Sequence, residues 1–387
     1  MVGLQDTLCK HFGTCGGCQF QDLPYSEQIL RKEQIIKELA HNSGFADTEI
    51  KPINRFNEWF YRNKMEFTFS ESEGQIVLGL HTKGKHRAVF DVKECRIFSK
   101  DIGSLLDSVR VFCHKHNYKA YNKFTHKGFL RHLIVRETKF TGEVMIGVVT
   151  TSEETLDKDS FLREVMASAY QGRIASVHWI INDSFGDAVV FQKKELFYKN
   201  AFITEKLGDY YFKIYIDSFF QTNPEGIQIL YQKVKDYAPQ EKTTKVLDLF
   251  CGVGCMGIFL ASNAEFVWGV ELVESAVANA LDNAVLNNVK NISFVRADVR
   301  KFLAQDNLSG NINCTVVNPP RAGLSNKIKT RIVRLNSPWL FYSSCNPKTL
   351  FEDIKDLYPR YKPVFIEPFD FFPHTKHVET LVLLRRN

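Results

Sequence analysis

The chain has 387 residues, of which 44% are hydrophobic and 24% charged, with a formal net charge of +6. At roughly 100 to 200 residues per domain, this length predicts two or three domains, and the near-average composition allows proper buried cores, so the chain need not be disordered. No apolar run approaches the ~18 residues of a membrane span, and the start MVGLQDTLCKHFGTCGGC lacks the apolar stretch of a signal peptide. A cytoplasmic protein is therefore expected, with no membrane contact. The mild basic excess favours a polyanionic partner.

In such a compartment thiols stay reduced, so the nine cysteines are not a disulfide framework. Cys9, Cys15 and Cys18 are spaced C-x5-C-x2-C, and Cys95 follows in VKECRIF. Four thiolates of this kind suit either zinc or an iron–sulfur cluster, and the spacing does not choose between them. Strand-like runs follow at 61–70, 75–80, 133–137, 143–150 and 176–182. They point to an antiparallel α+β domain. Among them lie two basic runs, Lys83, Lys85, His86 and Arg87, then Arg131, His132 and Arg136. A basic run is most often a solvated face. Here Phe67 and Phe129 lie nearby, and bases stack on aromatics while cations meet phosphates.

A break near residue 215 separates this part from one where strands and helices alternate. We expect an N-terminal domain over 1–215 (its cluster segment 1–20 with Cys95) and a second over 216–387. Asn223 is a good N-cap, and Pro224 suits the first helical position. A strand is expected over 245–250, then the turn CGVGCMG and a helix from about Gly254. The next strand, 266–270, ends at Glu271. Val277, Ala280, Leu281, Ala284 and Val285 read as one apolar helix face. Further strands are expected at 292–295, 314–317, 339–342, 364–367 and 380–384. The alternation implies an α/β domain built on a parallel sheet with helices on both faces.

Gly252, Gly254 and Gly257 let a backbone approach a ligand at a helix start. Glu271, nineteen residues after Gly252, sits where an acid accepts hydrogen bonds from ribose hydroxyls. The spacing also fits a dinucleotide site, but the GxGxxG order is missing, which favours S-adenosylmethionine. Asp298 ends the third strand, placed either to meet an adenine amino group or to cap the next helix. Two later strand ends carry VVNPPRAG, with Asn318 and Arg321, and YSSCNPKT, with Cys345. A lone cysteine is usually a small buried apolar residue. His377 and Glu379 precede the last strand.

SFFQTNP around Gln221, DLFCGVG, Glu271, NPPRAG, SSCNP and HVETL occur here in order. Together they resemble the RNA uracil-C5 methyltransferase family of the TrmA and RumA type. The resemblance implies a class I, Rossmann-like S-adenosylmethionine-dependent methyltransferase domain over 216–387. It implies that Gln221, Phe250, Glu271 and Asn318 line the cofactor and uracil pocket, that Cys345 is the nucleophile and that Glu379 accepts the proton. Chemistry needs both catalytic groups. C5 of uracil is too poor a nucleophile until a thiolate adds to C6, and a base must then remove the C5 proton. CKHFGTCGGCQFQ resembles the family's iron–sulfur segment, so Cys9, Cys15, Cys18 and Cys95 are expected to hold a 4Fe–4S cluster, with zinc the alternative.

Many relatives carry Asp where this chain has Asn318. The branch that looks like RumB (RlmC), acting on 23S rRNA, carries Asn and lacks an extra N-terminal β-barrel. This chain starts at its cysteine cluster and resembles that branch. The expected partner is RNA, a 23S rRNA hairpin loop with the target base extruded, bound by a monomer. Three rivals stand beside this: a transfer RNA enzyme of the same family, an amino-group methyltransferase using the NPP turn, and an idle RNA-binding protein. Arg321 replaces the aromatic that amino-group enzymes place after N-P-P.

Overall fold

The structure is a computed structural model. It describes residues 8–387 except 306, 307 and 309. The side chains of His86 and Arg87, in the first basic run, and residues 1–7 of the expected cluster segment lie outside the described residues.

In chain order the elements are α1 (Tyr25–Asn42), β1 (Glu49–Ile50), β2 (Lys64–Ser72), β3 (Gln75–Thr82), β4 (Lys85–Asp91), α2 (Ile102–His116), β5 (Leu130–Glu137), β6 (Val144–Thr150), α3 (Lys158–Met166), β7 (Ile174–Ile181), β8 (Lys193–Lys199), β9 (Phe202–Leu207) and β10 (Tyr210–Tyr215). There follow α4 (Pro224–Tyr237), β11 (Lys245–Leu249), α5 (Cys255–Ala261), β12 (Phe266–Glu271), α6 (Glu274–Leu286), β13 (Ile292–Arg296), α7 (Val299–Phe302), β14 (Cys314–Val317), α8 (Asn326–Leu335), β15 (Trp339–Ser344), α9 (Pro347–Leu357), β16 (Tyr361–Phe369) and β17 (Glu379–Arg386). No helix among the described residues is long and apolar enough to cross a membrane.

The chain forms two compact units, and the cut is not a single one at 215. Residues 8–23, 57–205 and 214–217 make one unit; 24–56, 206–213 and 218–387 make the other. The reason lies in α1 and β1. Ile29, Ile36 and Ala40 of α1 belong to the same buried core as Leu247, Tyr342 and Val382. β1 pairs in parallel with β16 through Glu49↔Phe365 and Ile50↔Ile366.

The first unit holds a seven-stranded sheet in the order β4-β3-β2-β5-β6-β7-β8. Its neighbours run antiparallel, as expected, except β6 and β7, which are parallel. Parallel neighbours need a crossover, and α3 supplies it. Asp157 caps α3 by accepting from Ser160 N at 2.9 Å. β5 is buried along nearly its whole length, which corrects the reading of the second basic run: Arg131, His132 and Arg136 are buried, not a solvated face. Phe67 and Phe129 are fully buried as well and offer no stacking platform.

The second unit holds an eight-stranded sheet, β1-β16-β17-β15-β14-β11-β12-β13. The five strands β11 to β15 pair in parallel. β17 breaks the expected all-parallel pattern by running antiparallel to both β15 and β16. No helix separates β16 from β17, so the chain simply turns back, as antiparallel neighbours allow. Strand order reverses at β11, whose neighbours are β12 on one side and β14 on the other. Open α/β sheets bind ligands at such a switch point, beyond the carboxyl ends of the strands. Asn223 caps α4 as expected, accepting from Gly226 N at 3.1 Å. The expected face of α6 is narrower than its apolar residues suggest: Val277, Ala280 and Ala284 are buried, whereas Leu281 and Val285 are exposed.

Candidate active site

Four consecutive neighbours of the sheet end together. The register pairs Leu249 with Val270 and with Val317, and Val317 with Tyr342. Phe250, Glu271, Asn318 and Cys345 therefore emerge along one carboxyl edge. β17 enters at the same edge because it runs the other way. Ser344 pairs with Thr380 as the last pair of that ladder, so Cys345 and Glu379 are each the next residue beyond it, and the Glu379 carboxylate is near enough to act on the Cys345 thiol.

Side chains alternate faces along a strand, which puts Ser343 two residues from Cys345 and diagonal to Glu379. The Ser343 hydroxyl donates to Glu379 Oε1 at 2.6 Å. Glu379 is 1% exposed. Burial pushes its carboxyl up to about 7, against the smaller opposing effect of the Ser343 hydrogen bond. Cys345 is half-buried, whereas Cys113, Cys251, Cys255 and Cys314 are buried. Among the described residues it is thus the one thiol outside the N-terminal four that stays partly accessible. Burial raises the Cys345 thiol, the Glu379 carboxylate raises it further, and the Arg321 guanidinium pulls it down.

The two turns carrying Asn318 and Cys345 are tied together. Asn346 Nδ2 and Thr349 Oγ1 both donate to the Arg321 carbonyl, at 3.0 and 3.3 Å. Asn346 N donates to Ser344 Oγ at 3.1 Å, closing a tight turn around Cys345, and Pro347 then starts α9. Asp353 of α9 accepts from Leu324 N at 2.7 Å and from the Tyr342 hydroxyl at 2.6 Å. That anchors the far end of the NPPRAG turn to the strand below it. Arg321 Nη2 lies 3.4 Å from His377 Nδ1.

The glycine turn is shaped by left-handed residues. Phe250, Gly252 and Gly254 have φ of 61°, 54° and 83°. Nothing lies within 4 Å of a Cβ placed on Gly252, while one on Gly254 would meet the Phe294 ring at 2.6 Å. Glu271 folds back onto this turn. Its carboxylate accepts from Gly252 N at 3.1 Å, Leu272 N at 2.7 Å and Val273 N at 3.0 Å. Asp248, beneath the turn, accepts from Gly257 N at 3.0 Å, and burial raises its carboxyl to about 7. Asp298 caps α7, one of its two expected roles: it accepts from Lys301 N at 3.0 Å, and that hydrogen bond holds its carboxyl below the usual range. Gln221 is half-buried outside the sheet, two residues before the Asn223 cap.

Ser343 and Asp248 escaped the sequence reading. No signal in SSC singles out Ser343. A lone Asp in an apolar strand, VLDLF, was the signal for Asp248.

In the first unit, Cys9, Cys15, Cys18 and Cys95 line one pocket together with Met65 and Phe90. Burial raises all four thiols, those of Cys18 and Cys95 to about 12, and each of those two is raised further by neighbouring cysteines. Among the described residues, however, no group of three or more His, Cys, Asp or Glu side chains is set out to hold a metal ion. The four expected cysteines nevertheless converge on one pocket. As neutral thiols they pack like small apolar groups.

The sheet order, the switch-point edge and the glycine turn with its acid define an α/β methyltransferase fold. A solved structure of Pyrococcus abyssi tRNA (uracil-54, C5)-methyltransferase with S-adenosyl-L-homocysteine superposes with a TM-score of 0.79 at 30% identity, over 96% of this chain and 86% of that one. A Clostridium tetani protein named as an uncharacterized RNA methyltransferase is 36% identical over 98% of this chain and 84% of its own length. One so named from Caldanaerobacter subterraneus subsp. tengcongensis is 36% identical over 99% of this chain and 85% of its own. The family profile described as tRNA (uracil-5-)-methyltransferase matches residues 24–387. The chain belongs to that family.

Proposed function

We propose that this protein transfers a methyl group from S-adenosylmethionine to C5 of a uracil in RNA, with Cys345 as nucleophile and Glu379 as base. The observation that carries the proposal is the β15–β17 register, which brings the accessible thiol and the buried acid to one point of the ligand-binding edge. The Cys345 sulfur bonds to C6, and the electron pair displaced from the C5=C6 bond makes C5 nucleophilic. When bound, S-adenosylmethionine supplies an electrophilic methyl group. The C5 proton then passes to Glu379, the C5–H electron pair restores the double bond, and the S–C6 bond breaks to return the thiolate. A base whose pKa lies near 7 suits this at neutral pH.

The residues present fit the methyl donor. Glu271 keeps acceptor capacity for a ribose hydroxyl beside its three backbone contacts, since an ionised carboxylate offers about four lone-pair sites. The space above Gly252 is open. Cys345→Ala is expected to bind S-adenosylmethionine with wild-type affinity and to transfer no methyl. Wild-type protein is expected to form a stable adduct with 5-fluorouridine RNA, because fluorine does not leave as a proton does. Turnover by Cys345→Ala, or no adduct with the wild type, defeats the reading.

The RNA in this proposal is 23S rRNA, at a uridine in a hairpin loop. Asn318 supports it, as the residue carried at that position by the 23S rRNA branch that this chain resembles. The likeness to the P. abyssi enzyme favours a second reading, transfer RNA. Mapping the 5-methyluridine lost from the RNA of a deletion strain decides between them.

The convergence of Cys9, Cys15, Cys18 and Cys95 on one pocket supports a structural 4Fe–4S cluster. Binding would turn these four neutral thiols, two buried and two half-buried, into charge-compensated thiolates. Anaerobically purified protein is expected to be brown, with iron and sulfide in equal amounts, and Cys18→Ser is expected to lose both. Colourless protein containing zinc refutes the cluster.

A further inference from the structure

A second pocket lies wholly within the first unit and is used by none of the chemistry above. Its cavity is about 170 Å³, lined by Thr68 and Ser70 of β2, His81 of β3, Arg131 and His132 of β5, the segment 120–124, and Asp187. A cavity of about 150 Å³ is enough for one benzene-sized ring.

The walls are held in place before any ligand arrives. The Arg131 guanidinium donates to the carbonyls of Asn182 at 2.8 Å, Ser184 at 2.6 Å and Gly186, which fixes the loop that leads to Asp187. The same guanidinium lies 4.2 Å from the centre of the Tyr121 ring. Glu71 Oε1 accepts from Ala120 N at 2.9 Å, and Asn122 Oδ1 accepts from Phe124 N at 2.9 Å. These bonds present Phe124, 65% exposed, at the rim. Phe185, 72% exposed, packs edge-on against His126.

The lining also carries unmet polar capacity. His81 Nδ1 and Arg131 Nε are buried without a hydrogen-bond partner among the described residues. Buried polar groups are rarely left so in a native protein. The Asp187 carboxylate gathers Lys123 at 3.2 Å, His81 at 3.7 Å and His132 at 4.0 Å. Lys83, Lys85, Lys119 and Lys127, close in sequence to the lining, are exposed. A flat ring with donors and acceptors on its edge, attached to an anionic backbone, matches each of these features.

We propose that this pocket takes an unpaired nucleobase of the substrate RNA other than the methylated uracil, so that recognition of the RNA is read at a second extruded base. The proposal rests on the methyltransferase reading. Phe124 stacks on the base, His81, Arg131 and Asp187 meet its polar edge, and the exposed lysines meet flanking phosphates.

The test uses the full chain and its RNA substrate carrying 4-thiouridine at single positions outside the target. Irradiation is expected to join one such nucleotide to the peptide containing Tyr121 to Phe124. Phe124→Ala and Asp187→Ala are each expected to raise KM for RNA by about tenfold or more, as loss of a stacked base does. Their kcat is expected to stay within about twofold, and S-adenosylmethionine affinity and melting temperature to stay unchanged. Wild-type KM in both variants, or crosslinks confined to other peptides, overturns the pocket while leaving the methyltransferase reading intact. Failure of the wild type to form the 5-fluorouridine adduct overturns that reading, and the pocket's role with it.

Discussion

Glu379 combines nearly complete burial with a proton held more tightly than in water. Its carboxyl stands at about 7 where an ordinary glutamate stands at 4.5. Between those two values the folded state binds the proton and the unfolded state does not, so stability falls as pH rises from about 4.5 to about 7. Each tenfold gain in proton affinity is worth about 1.36 kcal/mol, so the full cost above pH 7 is on the order of 3 kcal/mol. Glu379→Gln removes this titration. We expect it to raise the unfolding free energy by a few kcal/mol at pH 8 and by little at pH 4, measured in urea. The same variant is expected to accumulate protein joined covalently to fluorine-free RNA whose C5 already carries the methyl group, because methyl addition proceeds and proton removal does not. A variant that releases product at the wild-type rate places the base elsewhere. In the wild type, release is expected to quicken with pH up to about 7 and then level off, since the carboxylate is the active form. This acid was legible in HVETL only together with Cys345. Chemistry demanded a base, and the strand entrance offered one. The Ser343 hydroxyl that holds it was not legible, because nothing in SSC distinguishes a serine that faces the acid from one that faces away.

At the scale of elements, the glycine turn shows how tightly the ligand edge is drawn. Gly254 caps α5 in a left-handed conformation and leaves no room for a methyl group beside Phe294 and Ala280. A left-handed non-glycine residue costs about 1–2 kcal/mol, and overpacking adds typically about 1–3 kcal/mol. Gly254→Ala is therefore expected to lose about 2–5 kcal/mol of stability and most of its S-adenosylmethionine affinity. A loss below about 1 kcal/mol with binding intact contradicts this packing. The strands around the turn were legible because parallel, doubly covered strands read as short apolar runs between glycines and prolines. α1 was not. Its buried stripe of Ile29, Lys32, Ile36 and Ala40, with Gln28 alongside, carries a lysine and a glutamine, so the helical period is broken in the letters but not in space. β5 misled for the mirror-image reason. Arg131, His132 and Arg136 look like a surface, yet all three are buried, and the two guanidinium groups donate to backbone carbonyls, Arg131 to Asn182 and Arg136 to Ile216.

For the molecule as a whole, the consequence of α1 is that residues 218–387 are not a complete folding unit. Lys32 Nζ donates to Asp370 Oδ1 at 2.6 Å and to the Phe372 carbonyl at 3.0 Å, and both ionic side chains are wholly buried. Gln28 Oε1 accepts from His374 N at 2.8 Å. β1 covers the edge of β16, and Asn54 Nδ2 donates to Glu367 at 3.1 Å. A fragment beginning at 218 would lose the Lys32–Asp370 pair and the Gln28 contact to His374. It would also expose the apolar side of the core that Ile29, Ile36 and Phe45 cover. We therefore expect 218–387 alone to be insoluble or to melt without a cooperative transition. The same fragment preceded by 24–56 through a flexible linker is expected to unfold cooperatively and to bind S-adenosylmethionine. In that linked protein, Lys32→Met is expected to be strongly destabilising, and Lys32→Met with Asp370→Leu to recover much of the loss, since no charge is then stranded. A cooperative transition in 218–387 by itself would show that the leading segment is an addition to the catalytic unit rather than part of it.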